Sequence, residues 1–115
     1  MGKRRTKLKF KLLCEETRQV ARLYFRALNS VILKDGKYDL NMAIKERREM
    51  SDDIHRLYTQ KIEDAFRKLD VDSQRIINND FFFNNYKFWW IELYSTSTYY
   101  RLKRTAICRF LDRID

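Results

Sequence analysis

The chain has 115 residues and a formal net charge of +9, and it contains no proline and only two glycines, Gly2 and Gly36. This length suits one domain with a core of about four to six helices. Strand-rich domains need turn residues at intervals of about 8–12 positions, and this chain lacks them. We therefore predict an all-α fold and a single domain over residues 1–115. The positive charge favours a polyanionic partner, of which nucleic acid is the commonest.

Cysteine and histidine usage argues against a metal site. Cys14 and Cys108 are distant in sequence, and His55 is the single histidine, whereas a zinc site needs about four ligands. We predict no metal, no cofactor and reduced thiols. No apolar run approaches the ~18 residues of a membrane span, and no apolar stretch of the signal-peptide kind follows the charged start. A cytoplasmic protein with no membrane partner is expected.

No motif in the sequence brings together side chains that are suited to catalysis. The acidic pairs Glu15-Glu16 and Asp52-Asp53 have no base, nucleophile or metal partner at a suitable spacing, and catalysis needs such convergent groups. The sequence also contains no phosphate-binding loop. We predict that the protein is not an enzyme.

A basic arm is predicted over residues 1–11. It contains no acidic residue, and its cations are Lys3, Arg4, Arg5, Lys7, Lys9 and Lys11. The arm has two interpretations: it is a solvated tail, or it lies on phosphates and carries little sequence information.

Residues 12–69 predict a long helical hairpin. Apolar residues of its first helix recur with a period of about 3.6, at Leu13, Val20, Tyr24, Ala27, Leu28 and Val31. Gly36 suits the left-handed cap that ends this helix. A second helix is predicted from about residue 40 to 69, with Ser51-Asp52-Asp53 as a point where it could divide. We expect the two helices to pack antiparallel.

Residues 70–115 predict a helix-turn-helix part packed on the hairpin. Asp70 and Ser73 suit the first turn of a third helix. An aromatic helix is predicted over about 86–93, and Ser95 is favoured as the cap of the last helix.

The last helix has two different sides, with a recognition helix predicted over about residues 96–111. At about 100° per residue, one side carries the residues expected in the core: Tyr99, Leu102, Ala106 and Phe110. The other side carries the residues expected to face outward: Ser97, Arg101, Arg104 and Cys108. Small hydroxyl side chains allow a close approach to DNA, and arginine reads the guanine edge in the major groove.

These residues resemble a known pattern over about residues 66–113. The run Leu69-Asp70-x-Asp72-x-x-Arg75-Ile76-Ile77 and the later run Ser95-x-x-Thr98-Tyr99-x-x-Leu102-x-x-x-Ala106-Ile107 look like region 4 of sigma factors. The stretch Ser95-Thr96-Ser97-Thr98-Tyr99-Tyr100-Arg101-Leu102-Lys103 is similar to the start of the recognition helix in phage-type transcriptional regulators of the ArpU and RinA kind. The usual glycine-containing turn is replaced by Leu93-Tyr94-Ser95, which is one residue shorter.

The resemblance implies a region-4-like helix-turn-helix with double-stranded promoter DNA as its partner and RNA polymerase as a second partner. It implies DNA contacts at Thr96, Ser97, Tyr100, Arg101 and Arg104. Two further cations of the same helix, Lys103 and Arg109, are expected on the phosphate backbone.

The aromatic residues are concentrated in one segment, because ten of the 17 lie within residues 81–100. One interpretation is a core that joins the helix-turn-helix to the hairpin. Another is an exposed patch for a protein partner or a second copy of the chain, with candidate residues Phe82, Phe83, Trp89 and Trp90. Stacking on single-stranded bases is a third, disfavoured because no strand-built platform is predicted.

A DNA-binding transcription regulator is the function that the sequence predicts. The alternative is a protein-interaction module, associated with RNA polymerase, the ribosome or itself as a homodimer, which retains the helix-turn-helix shape without specific DNA binding. Non-specific RNA binding through the basic arm is a third hypothesis, less favoured because A-form grooves do not readily admit a helix.

Overall fold

The computed structural model of the protein describes residues 9–27, 53–83 and 87–114. These residues form only helices and turns, with no strand among them: α1 (Phe10–Ala27), α2 (Asp53–Arg67), α3 (Val71–Ile77), a π-helical turn (Asn78–Phe82) and α4 (Thr96–Ile114). The all-α prediction is confirmed for this part of the chain.

Some predicted features lie outside the described residues. They are the arm cations Lys3, Arg4, Arg5 and Lys7, and the segment 28–52 with the expected helix end at Gly36. α1 and α2 pack on each other and both pack on α4. The antiparallel hairpin itself stays a prediction.

α1 is amphipathic and buries one side. The buried residues are three or four positions apart, as one face of a helix requires, and they are Leu13, Cys14, Thr17, Ala21 and Tyr24. The Thr17 hydroxyl donates to the carbonyl oxygen of Leu13 at 2.8 Å, so this buried polar group is satisfied within its own helix.

α2 contributes a second buried side to the same core, formed by Thr59, Ile62, Glu63 and Phe66. Glu63 is fully buried, and its Oε2 accepts a hydrogen bond from the Tyr24 hydroxyl at 2.8 Å. Because buried polar groups need partners, this bond fixes how α1 and α2 lie against each other.

The start of α3 is capped as the sequence predicts. Asp70 accepts hydrogen bonds from the Ser73 backbone N–H at 3.4 Å and from the Ser73 hydroxyl at 2.6 Å. The hydroxyl bond is the main reason that the pKa of Asp70 lies below its usual value. Gln74 Nε2 donates to the carbonyl oxygen of Phe66 at 3.1 Å, which joins α3 to the end of α2.

The prediction of an aromatic helix over about residues 86–93 is wrong for the described residues 87–93, which form successive turns and are called the turn segment below. Their bonds are short-range, from Ile91 N–H to Phe88 O at 3.1 Å and from Leu93 N–H to Trp90 O at 2.9 Å. A regular helix would send the neighbouring residues Trp89 and Trp90 in directions about 100° apart. The turns instead bring both indoles onto the ring of Tyr99.

Two apolar clusters of the described residues pack against α4. The main core joins α1, α2, the π-helical turn and the C-terminal half of α4, which contributes Ala106, Ile107, Phe110 and Leu111. A smaller cluster joins α3, the turn segment and the first turns of α4 through Ile76, Trp90 and Tyr99, with Leu102 half-buried at its edge. The predicted inward side of α4 is therefore confirmed at Tyr99, Ala106 and Phe110, and α4 is held at both ends.

Candidate nucleic-acid interface

The first turns of α4 present an exposed polar side. Four of the predicted contact residues lie there with exposed side chains: Thr96, Ser97, Tyr100 and Arg101. Ser97 and Arg101 lie on the side of the helix away from Tyr99, whose ring is buried, and Thr96 and Tyr100 lie next to them. The structure therefore brings these four residues together on one surface.

Ser95 caps this end of α4, which confirms the prediction. Its Oγ accepts a hydrogen bond from the Thr98 backbone N–H at 3.3 Å, and its hydroxyl donates to Thr98 Oγ1 at 2.9 Å. The first intrahelical bond runs from the Tyr99 N–H to the Ser95 carbonyl oxygen at 2.9 Å. Other N–H groups of the first turn keep no intrahelical acceptor, so they can donate to an anion placed at this end.

Lys103 does not belong to the outward side, which corrects its predicted role on the phosphate backbone. Its side chain is 12% exposed, and its Nζ forms an ion pair with Asp80 Oδ2 at 3.1 Å. The ammonium also lies 5.1 Å from the ring centre of Phe81 and 5.4 Å from that of Tyr99, distances suited to cation–π attraction. A lysine held in this way cannot reach a phosphate without breaking the ion pair.

Asp80 is the centre of a polar network on the inner side of α4. Trp89 Nε1 donates to Asp80 Oδ1 at 2.8 Å, and the Tyr99 hydroxyl donates to Asp80 Oδ2. Burial, and then the bond to Asp80, raise the pKa of the Tyr99 hydroxyl well above its usual value. Because Asp80 lies in the π-helical turn, Lys103 in α4 and Trp89 in the turn segment, the network holds these three parts of the chain together.

The C-terminal half of α4 is less available for contact with DNA than the sequence predicts. Arg104 is half-buried, and Cys108, expected on the outer side, is 7% exposed and belongs to the main core. Arg109 is exposed, and its Nη1 lies 3.7 Å from Asp70 Oδ1. The junction of α2 and α3 therefore lies against this part of α4, and the uninterrupted polar side ends near Thr105.

The candidate partner surface at Phe82, Phe83, Trp89 and Trp90 is mainly internal. Phe82 and Trp90 are 5% and 8% exposed, while Phe83 and Trp89 are half-buried. Phe82 packs edge-to-face on Tyr24 of α1 and on Phe110 of α4. The interpretation of these residues as core that joins the chain's parts is the one the structure matches.

Other apolar side chains of the same segment are exposed instead. Phe88, Ile91 and Leu93 are about half exposed, at 47%, 55% and 54%. The end of this segment is fastened to α3, since the Tyr94 hydroxyl donates to Asp72 Oδ1. Burial, and then this bond, raise the pKa of Tyr94.

A pocket of about 330 Å³ opens beside the first turns of α4. Its wall includes an aromatic set from the turn segment and α4: Phe88, Trp90, Tyr99 and Tyr100. Its charged residues are Arg18, Lys87, Lys103 and Asp80. Sequence reasoning missed this pocket because its lining comes from α1, the π-helical turn, the turn segment and α4, which no short motif connects.

Among the described residues, no three side chains of the His, Cys, Asp or Glu types lie close enough to hold a metal ion. No helix in the described ranges has both the length and the apolar character needed to cross a bilayer. The comparisons with known proteins give no relative, because no family model, no curated protein and no solved structure matches the chain.

Proposed function

We propose that the protein is a DNA-binding transcription regulator that places the first turns of α4 in the major groove. The observation that carries this proposal is the exposed side formed by Thr96, Ser97, Tyr100 and Arg101 at the capped end of a helix. Recognition helices of the helix-turn-helix class contact base edges with the residues of this same end.

In this proposal each part of the exposed side has its own role. The Arg101 guanidinium pairs with guanine O6 and N7, while the hydroxyls of Thr96 and Ser97 bond to bases or phosphates at close range. The free N–H groups of the first turn attract a phosphate. Arg104 and Arg109 lie further along α4 and contact the backbone on one side of the groove.

The inner side of α4 supports the proposal by fixing the angle of the helix. The ion pair between Lys103 and Asp80 and the stacking of Trp90 on Tyr99, whose ring centres are 4.2 Å apart, hold the first turns in one position. A recognition helix that is held by buried contacts keeps its geometry when it binds DNA, which reduces the entropy lost on association.

The connection that precedes α4 differs from that of a short helix-turn-helix. Residues 83–95 separate the π-helical turn from α4, whereas the motif usually joins its helices by about 3–4 residues. The support for DNA binding therefore comes from the exposed side of α4 and from the sequence resemblance to sigma region 4, and not from the connection.

Selection of duplexes from a random DNA pool, at about 50 mM and about 150 mM salt, tests the proposal. A motif that is still enriched at the higher concentration supports sequence-specific binding, since purely phosphate-based binding fades as counterions are released. Binding that is lost at the higher salt without any enriched motif would contradict it.

A protein-interaction module is the second candidate, favoured by the exposed Phe88, Ile91 and Leu93. Large apolar side chains gathered on one short segment are typical of a protein contact. The partner would be RNA polymerase, a ribosomal component or a second copy of the chain. Sedimentation of the purified protein tests for binding to a second copy of the chain. If the copies pair through this segment, a Phe88→Ser and Leu93→Ser double variant should change from dimer to monomer.

A further inference from the structure

The pocket beside α4 shares only Tyr100 with the exposed side that we propose to contact duplex DNA. Four aromatic side chains line it, together with the exposed cations Arg18 and Lys87. The single acid among the described residues of its wall, Asp80, is already paired with Lys103 at 3.1 Å. The lining therefore combines flat apolar surfaces with an excess of positive charge.

The polar groups deep in the pocket are held in place before any ligand arrives. Asp80 is 10% exposed and receives bonds from Trp89 and Tyr99 as well as the ion pair with Lys103. Asp80 and Asn79 come from the π-helical turn, a rare element that often occurs at functional sites. Asp80 and Lys103 are therefore already fixed by their contacts, and Arg18 and Lys87 are the exposed cations of the pocket wall.

Size restricts what can enter. A volume of about 330 Å³ lies at the small end of the range for ligand sites, roughly 300–1,000 Å³. It admits one ring system with one anionic group, and it excludes a duplex or a peptide helix. Aromatic side chains stack on any nucleobase. The exposed cations Arg18 and Lys87 match the double charge of a terminal phosphate.

We propose that this pocket binds a single nucleotide, with its base stacked on the exposed rings of Phe88 and Tyr100 and its phosphate between Arg18 and Lys87. The nucleotide is either free in solution or an unpaired nucleotide at the end of a DNA strand, because both present the same base and phosphate. The site is distinct from the duplex-reading side of α4, although Tyr100 borders both. The proposal does not depend on duplex binding.

Titration calorimetry of the full chain with thymidine 5′-monophosphate tests the proposal. A ligand of this size in a small pocket should bind with a dissociation constant on the order of 0.1 mM. Thymidine alone and inorganic phosphate alone should each bind at least about tenfold more weakly. A single-stranded oligonucleotide of about ten thymidines, measured in parallel, distinguishes the two sources.

Three variants locate the nucleotide. Arg18→Gln and Lys87→Gln should each weaken binding about tenfold by removing one charge-assisted bond to the phosphate. Phe88→Ala should weaken it by a similar factor of about ten by removing a stacking surface. Arg22→Gln is the matched control, because Arg22 is an exposed cation one turn further along α1 and outside the pocket. Its affinity should stay within about twofold of the original.

Each outcome has a definite meaning. Saturable binding of the mononucleotide, weakened in each of the three variants, supports a free nucleotide. Binding of the oligonucleotide alone, weakened in the same variants, supports a strand end. No binding of either probe, or binding that the three variants leave unchanged, overturns the proposal. Because no duplex is used, failure here leaves the proposed role of α4 intact, and failure of the duplex selection leaves the pocket intact.

Discussion

Lys103 and Asp80 form an ion pair at 3.1 Å with side chains that are only 12% and 10% exposed. Removing one partner of a nearly buried pair leaves the other charge without compensation, and such losses are about 3–5 kcal/mol. We expect Lys103→Met to lower the free energy of unfolding by about 3 kcal/mol, measured by urea denaturation.

A second variant separates the charge effect from lost packing. In Lys103→Met combined with Asp80→Asn, the new amide oxygen still accepts a bond from Trp89, and no unpaired charge remains buried. The double variant should therefore be more stable than Lys103→Met alone. Lys68→Met, at an exposed lysine, is the control and should change stability by less than about 0.5 kcal/mol. A double variant less stable than the single one would contradict this account of the pair.

Arg101 is the residue of α4 that we predict to contact a base directly, and its side chain is exposed. Arg101→Ala should weaken binding to the selected duplex by about 1–3 kcal/mol and relax the preference at one base position. Arg113→Ala removes an exposed charge in the last turn of the same helix and should affect affinity much less. An equal loss of affinity on all sequences would instead assign Arg101 to the phosphate backbone.

The α3 cap should make stability sensitive to acid. The pKa of Asp70 in the folded protein is lowered from 3.8, chiefly by the Ser73 hydroxyl. The ionised cap therefore stabilises the fold at pH values above 3.8, and this contribution is lost as the pH falls through the lowered value. Asp70→Ala should cost about 1 kcal/mol at neutral pH. Asp70→Asn keeps a hydrogen-bond acceptor, so it should lower the free energy of unfolding by less than Asp70→Ala. Its stability should no longer contain the contribution that falls with acid, because the amide does not ionise. Urea denaturation between pH 2 and pH 7 or so measures both.

Tyr24 and Glu63 connect α1 to α2 in the core. Tyr24→Phe keeps the ring contacts with Phe25 and Phe82 but removes the donor to Glu63. We expect a loss of about 1–3 kcal/mol in the free energy of unfolding. Thr105→Ala removes an exposed hydroxyl bonded within its own helix and should change stability by less than about 1 kcal/mol. A Tyr24→Phe variant as stable as the original protein would show that the bond contributes nothing net.

The two thiols should be protected in the folded protein. Cys14 and Cys108 are 5% and 7% exposed, and burial is the main reason that the pKa of Cys14 is raised, which lowers its thiolate fraction. Ellman's reagent should react slowly with the native protein and release two equivalents of product in urea. Rapid reaction of one thiol in native buffer, lost in Cys108→Ala, would place Cys108 on the outer side after all.

Features of α4 that depend on local sequence could be predicted. The Ser95 cap and the inward side with Tyr99, Ala106 and Phe110 follow from hydroxyl chemistry and a 3.6-residue period, which act within one helix. The position of Cys108 could not be obtained in this way. A helical wheel shows which side a residue occupies, but it does not show that a distant junction covers that side.

The functional details that sequence reasoning missed are long-range pairings. A lysine is by default an exposed residue, whereas Lys103 is turned inward by its ion pair with Asp80, 23 positions earlier in the chain, and by the rings of Phe81 and Tyr99. The same holds for the pocket, where Arg18 of α1 and Lys87 of the turn segment line one cavity. The sequence does not identify the turn segment, because an apolar run without periodicity does not distinguish a helix from turns that are held by side-chain contacts.

The length of the exposed side on α4 limits how much information it can read. Residues 96–105 span about 15 Å at 1.5 Å per residue, which corresponds to about four base pairs at 3.4 Å each. A sequence of four base pairs recurs on the order of every few hundred base pairs. This is far too often to distinguish one promoter from the competing sites of a genome. Selective occupancy of a promoter through this helix would therefore require two copies of the chain, with their four-base-pair sequences about 10 base pairs apart on one side of the duplex.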